Sequence, residues 1–425
     1  MTTIAIAAAI ALGAGSGDPA LLRYDDALAE ALARNADLRA ARARLDQART
    51  IGWKAWAAHL PQVTAAASWT RNDRGVELPA LAPLLPQPIV LQPLVGRSAQ
   101  LQAALPLLAP QLWLDIGAAQ AGQRQAEWSA EQARREVLFG VAGLYHGAVA
   151  ARLAAQVAGR QLEIATSHEA DAEIRHQAGA APEAARLRAR IDRTRAEQVL
   201  EAARAGYEAA RLALAAALDR SDARFEVELP DEPAGPARDA AQAALSGRAD
   251  LRAAEAGQEV ARRARAGLWA SYLPSLAAFA RSEWQDPAGP SGERRSWSAG
   301  LALSWTLFDG TLREARLRES AARVEETEAQ LRAAELRARE QLERAWLDLR
   351  VARANRARAL AQVELARENQ RLVEVSFREG AATYLEASDA AQQLGTAELA
   401  AVSEQLQVRL AMLRLLQAMG ARQPA

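Results

Sequence analysis

The 425-residue chain has no cysteine. That excludes thiol chemistry, disulfides, cysteine metal sites and a lipidated cysteine anchor. Aromatic residues make up only 5% of it, and histidine occurs four times. Neither charge is in excess, because 52 Lys and Arg face 52 Asp and Glu; bulk electrostatics give no reason to expect a nucleic-acid partner. Beyond the N-terminal apolar run, no segment has the ~18 or more consecutive apolar residues of a transmembrane helix. If the chain spans a membrane, it does so with strands. What is abundant is Ala, Arg, Glu, Gln and Leu, the mixture of long helices and coiled coils.

The N-terminus "MTTIAIAAAIALGAGSGDPA" carries an apolar run from Ile4 to Leu12 followed by small residues. Residues 1–17 read as a signal peptide. The competing reading is an apolar tail, since no Lys or Arg precedes the run.

The remainder repeats itself. "ADLRAARARLDQARTIGWKAWAAHLP" (36–61) resembles "ADLRAAEAGQEVARRARAGLWASYLP" (249–274) without a gap, at a spacing of 213 that sets Trp56 on Trp269 and Pro61 on Pro274. Further on, Leu107 aligns with Leu307 at a spacing of 200, and Gly179 with Gly380 at 201. Length changes thus concentrate before the leucine pair, as loops allow and packed helices do not. The first repeat spans 18–218, with a helix, a strand pair within 62–107, a long helix at 111–178, a tip and a helix at 183–218. An equatorial linker covers 219–248. The second repeat spans 249–425, with a strand pair within 275–307, a long helix at 311–379, a tip and a helix at 383–420.

In the second long helix apolar or small residues recur every seventh position: Leu317, Val324, Leu331, Ala338, Ala345, Ala352, Ala359, Ala366 and Val373, with Leu342, Leu349, Val363 and Phe377 in a second row. This is a heptad seam whose alanines let neighbouring helices approach closely. At 1.5 Å per residue the helix is roughly 100 Å long. Gly179 and Gly380 each follow a long helix, where a left-handed residue stops it, so each copy forms a helical hairpin. "RSWSAGLALSWTL" alternates Trp297, Ala299, Leu301, Leu303 and Trp305 with Ser296, Ser298, Gly300, Ala302 and Ser304. "SAQLQAALPL" alternates likewise. That period fits a membrane barrel strand, although an ordinary half-buried hairpin has the same pattern. Four strands cannot close a barrel, which needs about eight, and lipid tolerates no open edge. Three chains would supply twelve.

"SWTLFDGTLREARLRESAA" (304–322) resembles the strand-to-helix junction of TolC-like outer-membrane efflux proteins. "SFREGAATYLEASDAAQQL" (376–394) resembles their second hairpin tip, and "HQAGAAPEAARLRARIDRTRAE" (176–197) their first. The chain departs from the family at "LLAP" (107–110), at Ser388, and in the Pro-rich segment 76–96. The resemblance implies a mainly α fold with membrane β structure. It would be a homotrimer in which antiparallel helical hairpins form an α-barrel in the periplasm, under a twelve-stranded β-barrel set in outer-membrane lipid. It also implies an exit duct for drugs, metals or proteins, docked on a periplasmic adaptor and an inner-membrane pump. The docking surface would then be the tips, Gly179, Ala180, Ala181, Gly380, Ala381, Ala382 and Thr383, and a periplasmic constriction would be formed by Glu386 and Asp389.

No enzymatic centre is legible, and no metal or cofactor is expected. His59 stands where the second copy has Tyr272, so its position needs size rather than imidazole. His168 and His176 lie eight apart without a clustered carboxylate or cysteine to complete a ligand set, and read as a solvated helix face. Nucleophile elbows and phosphate loops are missing. The rival to a duct is a structural coiled-coil scaffold without a pore. Glu386 also has a second reading, since "TYLE" places Thr383 at the N-cap and Glu386 at N3 of a capping box. Asp389 lies beyond that box. In the first copy these two positions hold Ala185 and Arg188.

Overall fold

The computed structural model describes residues 20–78, 89–232, 235–288 and 292–424. The signal-peptide reading of 1–17 and the centre of the Pro-rich segment lie outside them. Along the chain come β1 (Ala20–Leu22), α1 (Tyr24–Arg34), α2 (Ala36–Ala57), β2 (Gln62–Arg71), β3 (Val76–Leu78), β4 (Ile89–Gln92) and β5 (Val95–Leu108). Two helices follow, α3 (Pro110–Gln177) and α4 (Glu183–Ala217), then β6 (Phe225–Val227) and α5 (Arg238–Ala244). The second copy contains α6 (Ala249–Trp269), β7 (Ser275–Asp286), β8 (Arg295–Ser304), α7 (Leu312–Arg378) and α8 (Tyr384–Ala418).

Two compact units divide the chain. One holds Arg42–Ala130 and Ala249–Leu336; the other holds Met1–Ala41, Glu131–Arg248 and Arg337–Ala425.

The first unit is built on a four-stranded antiparallel sheet in the order β2-β5-β7-β8. Its register sorts the side chains by chemistry. Val63, Ala65, Ala67 and Trp69 pair in turn with Ala103, Leu101, Ala99 and Arg97. Leu276, Ala278 and Ala280 pair with Leu303, Leu301 and Ala299. With period-2 alternation, one face is therefore almost wholly apolar. The other carries Thr64, Ser68, Gln100, Gln102, Arg281, Glu283 and Ser298, tied by Arg281 to Gln100 and Glu283 at 3.0 Å each and by Ser68 to Ser98 at 2.8 Å. The apolar face is exposed, with Trp297, Leu301 and Leu303 each more than 60% accessible. None of the described residues covers it, and an exposed apolar patch of this kind marks a surface that meets another apolar body. β2 and β8 remain open edges.

β8 ends at Ser304, short of Leu307, because the chain turns there into α7. Gly310 and Thr311 take left-handed φ of 72° and 68°. The Asp309 carboxylate then accepts from the Arg313 backbone N–H at 3.2 Å and from its Nε at 3.1 Å. Arg313 also lies over the Tyr272 ring at 4.6 Å. "LFDG" is thus a helix-start device, with Asp309 satisfying an orphan donor at the N-terminus of α7.

The second unit is helical. The heptad seam is inside: Ala338, Ala345, Ala352 and Ala359 of one row and Leu342, Leu349, Val363 and Phe377 of the other are buried. α3 has a window apolar enough to cross a membrane, but its Leu138, Val141, Ala142, Tyr145 and Val149 are buried in the core of this unit. The linker is not featureless. β6 pairs in parallel with β1, and the buried Tyr145 hydroxyl sits 2.9 Å from Leu22 O and 3.1 Å from Glu228 O. Arg409, itself buried, donates to Pro230 O and Asp231 O at 2.8 and 2.7 Å. His146 is held neutral beside it, its pKa lowered to about 4 by burial and by the Arg409 charge.

Candidate functional site

Each long helix ends in the same backbone device. Gly179 has φ +73° and Gly380 φ +81°. At the first tip Ala180 N–H donates to Arg175 O at 2.8 Å and Gly179 N–H to His176 O at 2.9 Å. At the second, Ala381 N–H donates to Ser376 O at 2.8 Å and Gly380 N–H to Phe377 O at 3.2 Å. Both are Schellman stops, which need a residue free to adopt left-handed φ. Nothing lies within 4 Å of a Cβ added at either glycine, so backbone conformation and not crowding selects glycine here.

The return helices start differently. α4 begins after Pro182, which makes no side-chain cap. α8 begins with a complete capping box. Glu386 N–H donates to Thr383 Oγ1 at 3.3 Å, and Glu386 Oε2 accepts from Thr383 N–H at 2.7 Å and from its hydroxyl at 2.9 Å. Those bonds, the backbone one first, hold the Glu386 carboxyl below the usual carboxylate range.

Below the tips the two hairpins are pinned together. Ala172, Ala189, Phe377, Tyr384 and Ala387 form a small core. Arg175 donates to Phe377 O at 2.8 Å and stacks 4.2 Å over its ring. Tyr384 Oη and Ser388 Oγ both bond Asp192 Oδ2, at 2.8 and 2.9 Å, and so tie α8 to α4. Burial and then the Asp192 carboxylate push the Tyr384 hydroxyl pKa up, so it remains a donor. A cavity of about 220 Å³ adjoins this bond, lined among others by Gln161, His168, Asp192, Tyr384 and Ser388.

His168 corrects the sequence reading. It is not on a solvated face but buried, with Nε2 3.2 Å from Glu374 Oε2 and its ring against Phe377 and Tyr384. Phe377 and Tyr384, brought up from the other hairpin, cover its ring. His176 does lie at the surface of the first tip, with Nδ1 3.1 Å from Ala181 O and Nε2 3.0 Å from Glu183.

The buried face of α8 carries Tyr384, Ala387, Ser388, Ala391, Leu394 and Gly395. Its exposed stripe starts with Leu385, Glu386 and Asp389 and continues through Gln392, Gln393 and Thr396. The two acids therefore share a face, but their bonding differs. Glu386 is engaged in the cap, while Asp389 has no ion-pair partner among the described residues. Ser388, Asp192 and His168 escaped notice as a group, because Asp192 lies in the arginine-rich "RIDRTR" and looks like part of a solvated charge run. Ser388 alone, a hydroxyl where an apolar residue was expected, signalled that something polar faces it.

The family model described as "Outer membrane efflux protein" matches residues 27–220 and 240–421, one segment per repeat. Among solved structures, VceC of Vibrio cholerae is similar over 93% of this chain and 96% of its own, at 20% identity and a TM-score of 0.77. The outer-membrane channel OprN covers 93% and 89% at 22% identity and a TM-score of 0.78. The CmeC outer membrane channel of Campylobacter jejuni covers 93% and 85% at 16% identity and a TM-score of 0.79. No curated protein matches by sequence.

Proposed function

Since the chain belongs to the outer membrane efflux protein family, whose members are channels and not enzymes, we propose that it is a trimeric exit duct gated at its second hairpin tip. It resides in the outer membrane, and the observation that carries the trimer is the sheet. Four strands with an exposed apolar face and two open edges need partners that close them in lipid. Three copies pool twelve strands, and their hairpins complete a periplasmic helical tunnel. An adaptor and an inner-membrane pump deliver the substrate to the tips around Gly179–Ala181 and Gly380–Thr383. There small residues allow a partner's helix end to approach.

At those tips Asp389 is the pore charge, and three copies place a ring of carboxylates across the narrow end. Glu386 stands one turn nearer the tip, its carboxylate shared with the cap. Such a ring favours cations and is blocked by multivalent ones. Opening has to move α8 from α4, and the bonds from Tyr384 and Ser388 to Asp192 resist that movement. A coiled-coil scaffold would account for the heptad seam, but it leaves the apolar sheet face in water. Light scattering on detergent-extracted protein tests the duct: three chains per particle are expected, and a single chain of 45.6 kDa would defeat it.

A further inference from the structure

The cavity beside the Tyr384–Asp192 bond is lined by α3, α4 and α8, and small residues make it. From α8 it receives Ser388, Ala391 and Gly395, which share one helix face and are all buried. Gly395 is required where Gln161 of α3 lies against the α8 backbone: an added Cβ would come within 2.6 Å of Gln161 Cδ. At the spacing of 201 the first copy has Leu187, Arg190 and Thr194 in these three places. All are larger, so the small-residue wall belongs to the second hairpin alone. The volume is about 220 Å³, whereas an engineered cavity of about 150 Å³ takes up benzene. There is room for an aromatic ring with a short polar arm.

The polar groups of this cavity are acceptors with capacity to spare. Tyr384 Oη and Ser388 Oγ both bond Asp192 Oδ2. Asp192 Oδ1 accepts no hydrogen bond among the described residues, although both oxygens of an ionised carboxylate are acceptors. His168, only 5% accessible, bonds Glu374 through Nε2. With the ring proton on the nitrogen that faces this carboxylate, Nδ1 presents a lone pair. It too has no partner among the described residues. A buried polar atom left unpaired is costly, and a donor placed in the cavity relieves the cost. The cation on the lining is Arg195, which is exposed, so that solvent and salt screen its charge.

We propose that this cavity is a binding site for a small primary amine with a compact apolar body. Its ammonium sits between Asp192 Oδ1 and His168 Nδ1, and its body lies against Ile164, Ala165 and Ala196. Such a ligand touches α3, α4 and α8 at once. Because opening moves α8 from α4, the ligand binds the closed tip better than the open one and shifts the equilibrium toward closure. That consequence rests on the gating proposed above; the site itself does not.

The chain has no cysteine of its own, so one introduced thiol reports on the cavity. Full-length Ala196→Cys protein in detergent is treated with aminoethyl methanethiosulfonate, a cation, and with sulfonatoethyl methanethiosulfonate, an anion. Thr194→Cys, exposed on α4 and outside the cavity, supplies the reference rates. After that correction the cation is expected to react with Ala196→Cys at least about tenfold faster than the anion. Phenethylammonium should slow the reaction saturably, with half-protection at about millimolar concentration. Phenylpropionate, a similar body of opposite charge, should not protect. Asp192→Asn in the same background should abolish both the charge preference and the protection. A preference for the anion, equal protection by amine and carboxylate, no protection by the amine, or unchanged protection in Asp192→Asn overturns the site. In single-channel recordings on the native chain the amine should lower the open fraction severalfold. Protection without that fall refutes the coupling to the gate and leaves the site standing.

Discussion

The two hairpin tips turn in the same way and begin their return helices differently. Gly179 and Gly380 share left-handed φ and the same pair of stop bonds; that much is what any long helix needs in order to reverse. The start of α4 has Pro182 and no side-chain cap, whereas α8 has the Thr383–Glu386 box. The acids are equally one-sided, for Glu386 and Asp389 correspond to Ala185 and Arg188. So is the bond to Asp192, because Tyr384 and Ser388 correspond to Glu183 and Leu187, and Asp192 to Gln393. Folding explains what the tips share. What only the second tip has is a side-chain cap on its return helix, two donors from that helix to Asp192, and exposed carboxylates without an ion-pair partner among the described residues, and the proposed gate draws on all three.

Removing the fastening should have the largest effect. Asp192→Ala leaves the buried Tyr384 hydroxyl unpaired at a cost of about 1–3 kcal/mol, and should raise the open fraction in single-channel recordings. Gln393→Ala, the matching change on α8, should leave it unaltered; equal effects would erase the asymmetry. Next come the glycines. Gly179→Val and Gly380→Val each force a β-branched residue into left-handed φ at roughly 1–2 kcal/mol, and the two should lower the melting temperature alike. A clear difference would show that the turns are not equivalent. Thr383→Ala should cost about 1 kcal/mol through the lost cap, read as faster amide exchange in the first turn of α8, while Pro182→Ala leaves the side-chain capping of α4 unchanged. The smallest effect is on pH. Because folding depresses the Glu386 pKa, the cap's contribution is complete above the usual carboxylate range and is lost as pH falls through the folded value. Protection of that turn against exchange, taken relative to the intrinsic amide rate at each pH, should therefore fall in acid, and the Thr383→Ala chain should lack this fall.

Much of this was legible from residue order. The seventh-residue spacing from Ala338 to Ala359, the glycines at the tips, the Thr383–Glu386 box and the alternation of Leu301 and Leu303 with Ala302 and Ser304 are local patterns, and local periodicity is what a sequence displays openly. The small β1–β6 sheet was not legible, since "ALL" and "FEV" are three residues each and pair across some two hundred positions. Nor was the role of Asp192. An acid among arginines looks solvated until the helix carrying Tyr384 is brought alongside. His168 was misjudged for the same reason, as its burial depends on Phe377 and Tyr384 from the other hairpin.

In the proposed duct the second tip closes the pore with a ring of Asp389 carboxylates. Planar-bilayer conductance with a trivalent cation on the periplasmic side addresses it directly, comparing wild type, Asp389→Ala and Arg188→Ala. With such a ring the cation blocks wild type and Arg188→Ala, while Asp389→Ala loses the block and still conducts. Equal block of wild type and Asp389→Ala would contradict it.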